Sequence, residues 1–198
     1  MSSNDLRVRQ MIAEEAARII LDEGVVDFRL AKRKAADRLG AGQTRNLPRN
    51  AEIEEAVMER QRLFEDDESR LQLRHLRQVA VKAMRMLEPF NPRLVGPVLA
   101  GIVNGRDELT LHVFADSPEE VIFFLQDRGV TWRADERRLR SGQGHVFYPC
   151  IEFGAEGVDV DVVVFPVDGI RQPPPSPVDG RPMKRAGVKL VEQMLEGG

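Results

Sequence analysis

Near Pro89 the apolar residues of this chain change period, and that change narrows the folds open to it more than any other feature. Upstream they recur at the i, i+3/i+4 spacing of helices that bury one face. Residues 5–23 place Val8, Met11, Ile12, Ala16, Ile19 and Ile20 on such a stripe, and Gly24 is positioned to end it. A second helix is expected over 28–39, with Phe28, Ala31, Ala35 and Leu39 on one side and Gly40 as its left-handed stop. A loop at 40–49, closed by Leu47-Pro48, leads to Asn50 as the cap of a third helix running to about Phe64. Its first turn holds Glu52 and Glu54, where the helix dipole favours acids. Leu73, Leu76, Val79, Ala80, Ala83, Met84 and Leu87 predict a fourth, longer helix stopped by Pro89 and Pro92.

Downstream the pattern is that of strands. Residues 93–103 and 108–115 are rich in Leu, Val and Ile, and the Asn104-Gly105 step between them reads as a hairpin joining two antiparallel strands. Ser117-Pro118-Glu119-Glu120 has the form of a capping box, so a helix is expected over 118–128 with Gly129 at its end. Three further strands, about 130–140, 145–153 and 157–166, form a meander through turns at Ser141-Gly142-Gln143-Gly144 and at 154–157. A proline-rich strap at 170–183 and a final helix near 184–196 complete the chain. The expected class is α+β: about four N-terminal helices over 1–68, then over 69–198 a mixed, mostly antiparallel five-stranded sheet with one or two covering helices.

Composition excludes several classes. No apolar run approaches the ~18 residues of a membrane span, and residues 1–9 mix charges of both signs without an apolar signal core, so a cytoplasmic protein with no membrane partner is expected. Cys150 is the only cysteine, which rules out an internal disulfide or a multi-cysteine zinc site and fits a small buried hydrophobe. His75 and His145 stand in no metal-ligand spacing. The net charge of −3 argues against a protein coated in nucleic-acid-binding charge. Its distribution is uneven, however. Residues 27–49 carry Arg29, Lys32, Arg33, Lys34, Arg38, Arg45 and Arg49 against Asp27 and Asp37, whereas 52–68 are mostly acidic.

The run RLVGPVLAGIVNGRDELTLHVF at 93–114 carries the chemistry. Gly96 and Gly101 stand five residues apart after a strand, and Glu108-Leu-Thr110-Leu opens the next one. This pattern resembles the nucleotidyltransferase superfamily, of the polymerase-beta-like kind, in a degenerate form. There a Gly-Ser step and a second glycine five residues on precede an Asp-x-Asp-apolar strand. The resemblance implies that Gly96 and Gly101 let the backbone approach a nucleoside triphosphate; His112, on the same strand face as Glu108 and Thr110, is the histidine expected beside that cleft. It also implies that Glu108 and Asp161 are the catalytic carboxylates, and that Glu108, Asp159 and Asp161 hold Mg2+. Asp159 and Asp161 fall in Val158-Asp-Val-Asp-Val-Val-Val-Phe165, where period-2 geometry puts both on one face.

Two departures bear on activity. Thr110 stands at the second acid's place, and a neutral hydroxyl gives magnesium no anionic oxygen. Pro97 replaces the serine and removes both its hydroxyl and a backbone N–H. The expected function is therefore a nucleotidyltransferase-like protein with a degraded metal site, binding a nucleotide or transferring a nucleoside monophosphate. Read as structure alone, Gly96 and Gly101 are strand irregularities, Glu108 is a solvated strand end, and Asp159 and Asp161 form the outer face of an edge strand. The rival reading is a non-enzymatic protein that meets a nucleic acid or a protein through Arg29, Lys32, Arg33, Lys34 and Arg38 of the basic helix, or through the strap.

Overall fold

In the computed structural model, which describes residues 3–25, 27–63, 67–141 and 144–196, the chain divides into two compact units. The first comprises Met1–Ser69, Ile102–Arg106 and Pro177–Asp179; the second comprises Arg70–Gly101, Asp107–Ser176 and Gly180–Gly198.

In the first unit the expected stripes become α1 (Ser3–Glu23), α2 (Phe28–Arg38) and α3 (Asn50–Leu63). Alanines at 13, 16, 17, 31, 35 and 36 are buried together with Ile12, Ile19, Ile53 and Val57. Small side chains let helix backbones approach closely, so this core is thin in apolar volume. Asp27 caps α2 by accepting the Leu30 N–H at 2.9 Å. Gly40, at φ +65°, ends it, with Gly40 N–H bonded to the Asp37 carbonyl and Ala41 N–H to that of Ala36. That pair of bonds is a Schellman ending. Asn50 is not a cap. It is the first helical residue, and its amide donates to the Pro177 carbonyl at 2.5 Å. Glu52 does the capping instead, accepting the Arg49 N–H at 2.8 Å. Phe64, the expected end of this helix, lies outside the described residues.

Chain connectivity enters the second unit through α4 (Asp67–Met86) and continues through β1 (Arg93–Val95), α5 (Gly96–Ala100), β2 (Glu108–Phe114), α6 (Pro118–Gln126), β3 (Trp132–Ser141), β4 (Gly144–Ala155), β5 (Val158–Phe165) and α7 (Val188–Glu196). The class is α+β, with a five-stranded mixed sheet in the order β1-β2-β5-β4-β3. As expected, β3, β4 and β5 form an antiparallel meander. Residues 142 and 143 of its first turn lie outside the described residues. The last strand slots between β2 and β4, parallel to β2. Asp159 and Asp161 are therefore on a central strand, not an edge.

Four further expectations are corrected. β1 and β2 are antiparallel neighbours, but no hairpin at Asn104-Gly105 joins them, because 96–100 turn helical. Pro97 has the fixed φ of a helix start, and Gly96 (φ +75°) and Gly101 (φ +82°) supply the left-handed bends at either end. The glycines are helix boundaries rather than strand irregularities. Ser117 takes the extended cap conformation ahead of α6 yet makes no side-chain cap bond. The last helix begins at Val188 because Ala186 first exchanges two 2.9 Å backbone bonds with Leu94, covering the outer edge of β1.

Leu109, Leu111, Val113, Val160, Val162, Val164, Ile151 and Phe153 alternate onto one sheet face. They form a single core with Leu76, Ala80 and Met84 of α4, Val121 and Leu125 of α6 and Val191 of α7. Among the described residues no helix is long and apolar enough to cross a membrane.

Candidate functional site

The other face of the sheet carries the polar residues, and the register fixes which of them meet. Parallel pairing sets Glu108 beside Asp159 and Thr110 beside Asp161; antiparallel pairing sets Glu152 of β4 beside Asp161 and Arg133 of β3 beside Glu152. Directly paired residues point to the same side of a sheet. Four carboxylates from three adjacent strands therefore share one end of this face. Because Val95 pairs with Thr110, Gly96 follows at the Glu108 end, so α5 starts where the acids gather. Toward the opposite end the face turns apolar, with Phe114, Val163, Phe165 and Cys150 buried beside Tyr148, Leu139 and Ile170.

Arg137 and Arg133 each bond one of these acids, and they also attract Glu108 and Asp159 respectively. The Arg137 guanidinium bonds Asp161 directly, and Arg133 bonds Glu152 from the edge strand at 2.5 Å. Burial raises the Asp161 carboxyl to about 6; Arg137 works against that rise, while Glu152, Glu108 and Asp159 add to it. Arg137 itself is half-buried and stays charged: burial opposes its charge, and Asp161 foremost restores it. Cys150 Sγ lies with oxygens of Glu152 and Asp161 inside a 4.8 Å cluster, but burial pushes its thiol up to about 12. A protonated thiol next to a guanidinium is a poor ligand for any cation and has no affinity for magnesium.

These residues do not fit a two-ion centre. Thr110 offers no charge, and the Asp161 carboxylate already faces a fixed cation. Glu108 and Asp159, in register on adjacent strands, carry a donor set that fits one oxygen-seeking ion.

His112 lies on the same strand face but in the apolar half, only 1% exposed. Its Nδ1 accepts from Arg185 Nε at 3.0 Å, and its ring packs 4.5 Å from that of Phe165. Burial, and then the Arg185 charge, push it down to about 3, so the imidazole is neutral with its proton on Nε2. Arg185 donates further to the Gly169 carbonyl at 2.8 Å and lies 4.8 Å over the Phe165 ring.

The basic helix divides by flank. Lys34 bonds Glu23 and Arg38 bonds Glu23 and Glu15, whereas Arg29, Lys32 and Arg33 line a pocket on the other side of α2.

Sequence reasoning missed Arg137, Arg133 and Arg185. All three act across strand pairings or chain separations that only the register reveals; alternation of charge along 133–138 was the one available signal. Comparison of the chain with family models, with curated proteins and with solved structures gives no match.

Proposed function

We propose that this chain is a nucleotidyltransferase-like protein that binds a nucleoside triphosphate at the acidic end of its sheet and does not carry out nucleotidyl transfer. The observation that carries this reading is the register: Glu108 beside Asp159, with Asp161 two residues on and α5 starting between its glycines at the same end. Carboxylates crowded on one face repel a triphosphate, so binding depends on a divalent cation. Magnesium held by Glu108 and Asp159 supplies the charge neutralisation that lets phosphate oxygens approach. Gly96 and Gly101 keep side chains away from that approach; a Cβ built on Gly96 would meet nothing within 4 Å, which leaves the space open. Arg137 places a permanent positive charge at Asp161, where a transferring enzyme needs a second exchangeable ion. The missing charge at Thr110 has the same effect, and for that reason transfer is lost while binding is kept.

Thermal unfolding with ATP, GTP, CTP and UTP, each with and without MgCl2, tests the reading. At tenfold excess over Kd, binding stabilises by about 1.4 kcal/mol, which moves Tm by about 3–6 °C for a chain of this size. The shift should need magnesium and vanish in Glu108→Ala and Asp159→Ala. No shift with any of the four at millimolar concentration sinks the proposal. Pyrophosphate release from any of them, at enzymatic rates, would refute the loss of transfer.

A further inference from the structure

Two of the cations on α2 are neutralised within the unit. Lys34 meets Glu23 at 3.0 Å, and Arg38 meets Glu23 at 2.6 Å and Glu15 at 3.3 Å. Arg29, Lys32 and Arg33, spaced i, i+3 and i+4, face the other way, and Ala36 and Asp37 continue their stripe. Among the described residues the salt bridges of α2 are those of Lys34 and Arg38, and Lys32 is drawn to Glu52 only at longer range, against the repulsion of Arg9. They line a half-open pocket of about 340 Å³, closed on its far side by Gly42, Thr44 and Leu47.

That far wall is built before any ligand arrives. The Schellman ending folds the chain back over the end of α2. Asn46 then pins the loop to α1, donating to the Asp5 carbonyl at 3.0 Å and accepting from Arg9 at 2.9 Å. Thr44 Oγ1 accepts the Asn46 N–H at 3.2 Å, which leaves the hydroxyl proton for another acceptor. A Cβ at position 42 would stand 2.7 Å from Asp37 Oδ1, so any side chain there would push that carboxylate aside. Lys32 is half-buried, and burial lowers its pKa. A partly desolvated ammonium with no bonded carboxylate favours an incoming anion.

We infer that this pocket is a phosphate site and that its occupant is the phosphodiester backbone of a nucleic acid strand, gripped by Arg29, Lys32 and Arg33 with Thr44 donating its hydroxyl. The lining contains no aromatic ring, so bases are not stacked and binding is indifferent to sequence. A polymer is favoured over free phosphate because Arg29 and Arg33 are exposed, and exposed ion pairs are individually weak. A lone anion is held loosely, whereas a strand releases counterions at each phosphate it presents. The site is independent of the nucleotide reading and needs no magnesium.

Fluorescence anisotropy of the full chain with a labelled single strand of mixed sequence, in RNA and DNA forms, reads this directly between about 50 and 200 mM salt. Three phosphate contacts give a slope of log K against log salt of about −2. Arg29→Ala, Lys32→Ala and Arg33→Ala should each weaken binding several-fold and reduce the slope by about 0.7, and the triple variant should not bind. Asp37→Asn removes the one carboxylate of the lining and should tighten binding several-fold, a gain that a misfolded chain cannot imitate. Arg62→Ala, an exposed cation outside the lining, should leave binding unchanged. Absence of strand binding at the lowest salt overturns the inference, as does equal binding by the wild type and the triple variant. Protection of the pocket by inorganic phosphate, with no strand bound, overturns the assignment to a polymer.

Discussion

Arg137 and His112 show how individual residues on one sheet face set its charge state. The Asp161 carboxyl sits at about 6 because burial and three neighbouring acids outweigh the guanidinium beside it. Replacing Arg137 with Met removes the one influence that lowers this value. A carboxyl-carbon NMR titration should therefore show Asp161 moving further up, and a downward move would contradict the ion pair. His112 has the opposite linkage. It takes up a proton near pH 6.5 when unfolded but only near 3 in the fold, so its contribution to stability is lost as pH falls through that window. Asp161 binds its proton more tightly in the fold than its ordinary 3.8, so its contribution to stability grows as pH falls from about 6 toward 4. Urea unfolding at a series of pH values should show the wild type minus His112→Gln difference rising with pH, by up to about 1.4 kcal/mol per unit between about 4 and 6. A flat difference would mean that His112 is not held neutral. The aspartates stood out in the sequence because strands disfavour them, and a Val-rich run containing two is unusual. Arg137 did not stand out. It is 24 residues from Asp161, and nothing local marks which of several strand arginines turns inward.

At the scale of elements, capping signals gave the backbone path more faithfully than the bonds. Asp27 and Ser117 both precede a helix in extended conformation, but only Asp27 makes its side-chain bond. Asp27→Ala should therefore cost about 1 kcal/mol in chemical denaturation and Ser117→Ala only a few tenths, although Ser117 carries the capping-box pattern and Asp27 does not. Equal losses would show that cap propensity, not the bond, is what counts. α5 looks like strand in the sequence because Val98, Leu99, Ile102 and Val103 make the run apolar, and a short apolar run has no period by which to tell helix from strand. Its flanking glycines held the missing information. Both are left-handed, which a continuous strand does not require. Gly101→Ala should cost about 1 kcal/mol through that φ alone, read by the same denaturation measurement.

For the molecule as a whole, the two cores differ in substance. That of the first unit is built largely from alanine, while that of the second packs Leu, Val, Ile, Met and Phe from helices and sheet. Buried apolar area is the main stabilising quantity, so amides of α1 and α2 should exchange with deuterium faster than those of β2 and β5. Equal protection would argue that the alanine core draws its stability from elsewhere. The helical half was legible because its buried stripes follow a local period, although the bonds that tie α1 to Asn46 and Glu52 do not. Mixed topology was not, since pairing β5 with β2 joins segments some fifty residues apart and only burial on both faces favours it. That pairing governs how the protein must be made. During synthesis β2, β3 and β4 leave the ribosome before the strand that belongs between β2 and β4. Until residue 165 emerges, two strand edges have no neighbour, and a nascent chain stalled before 158 should associate with others of its kind and sediment.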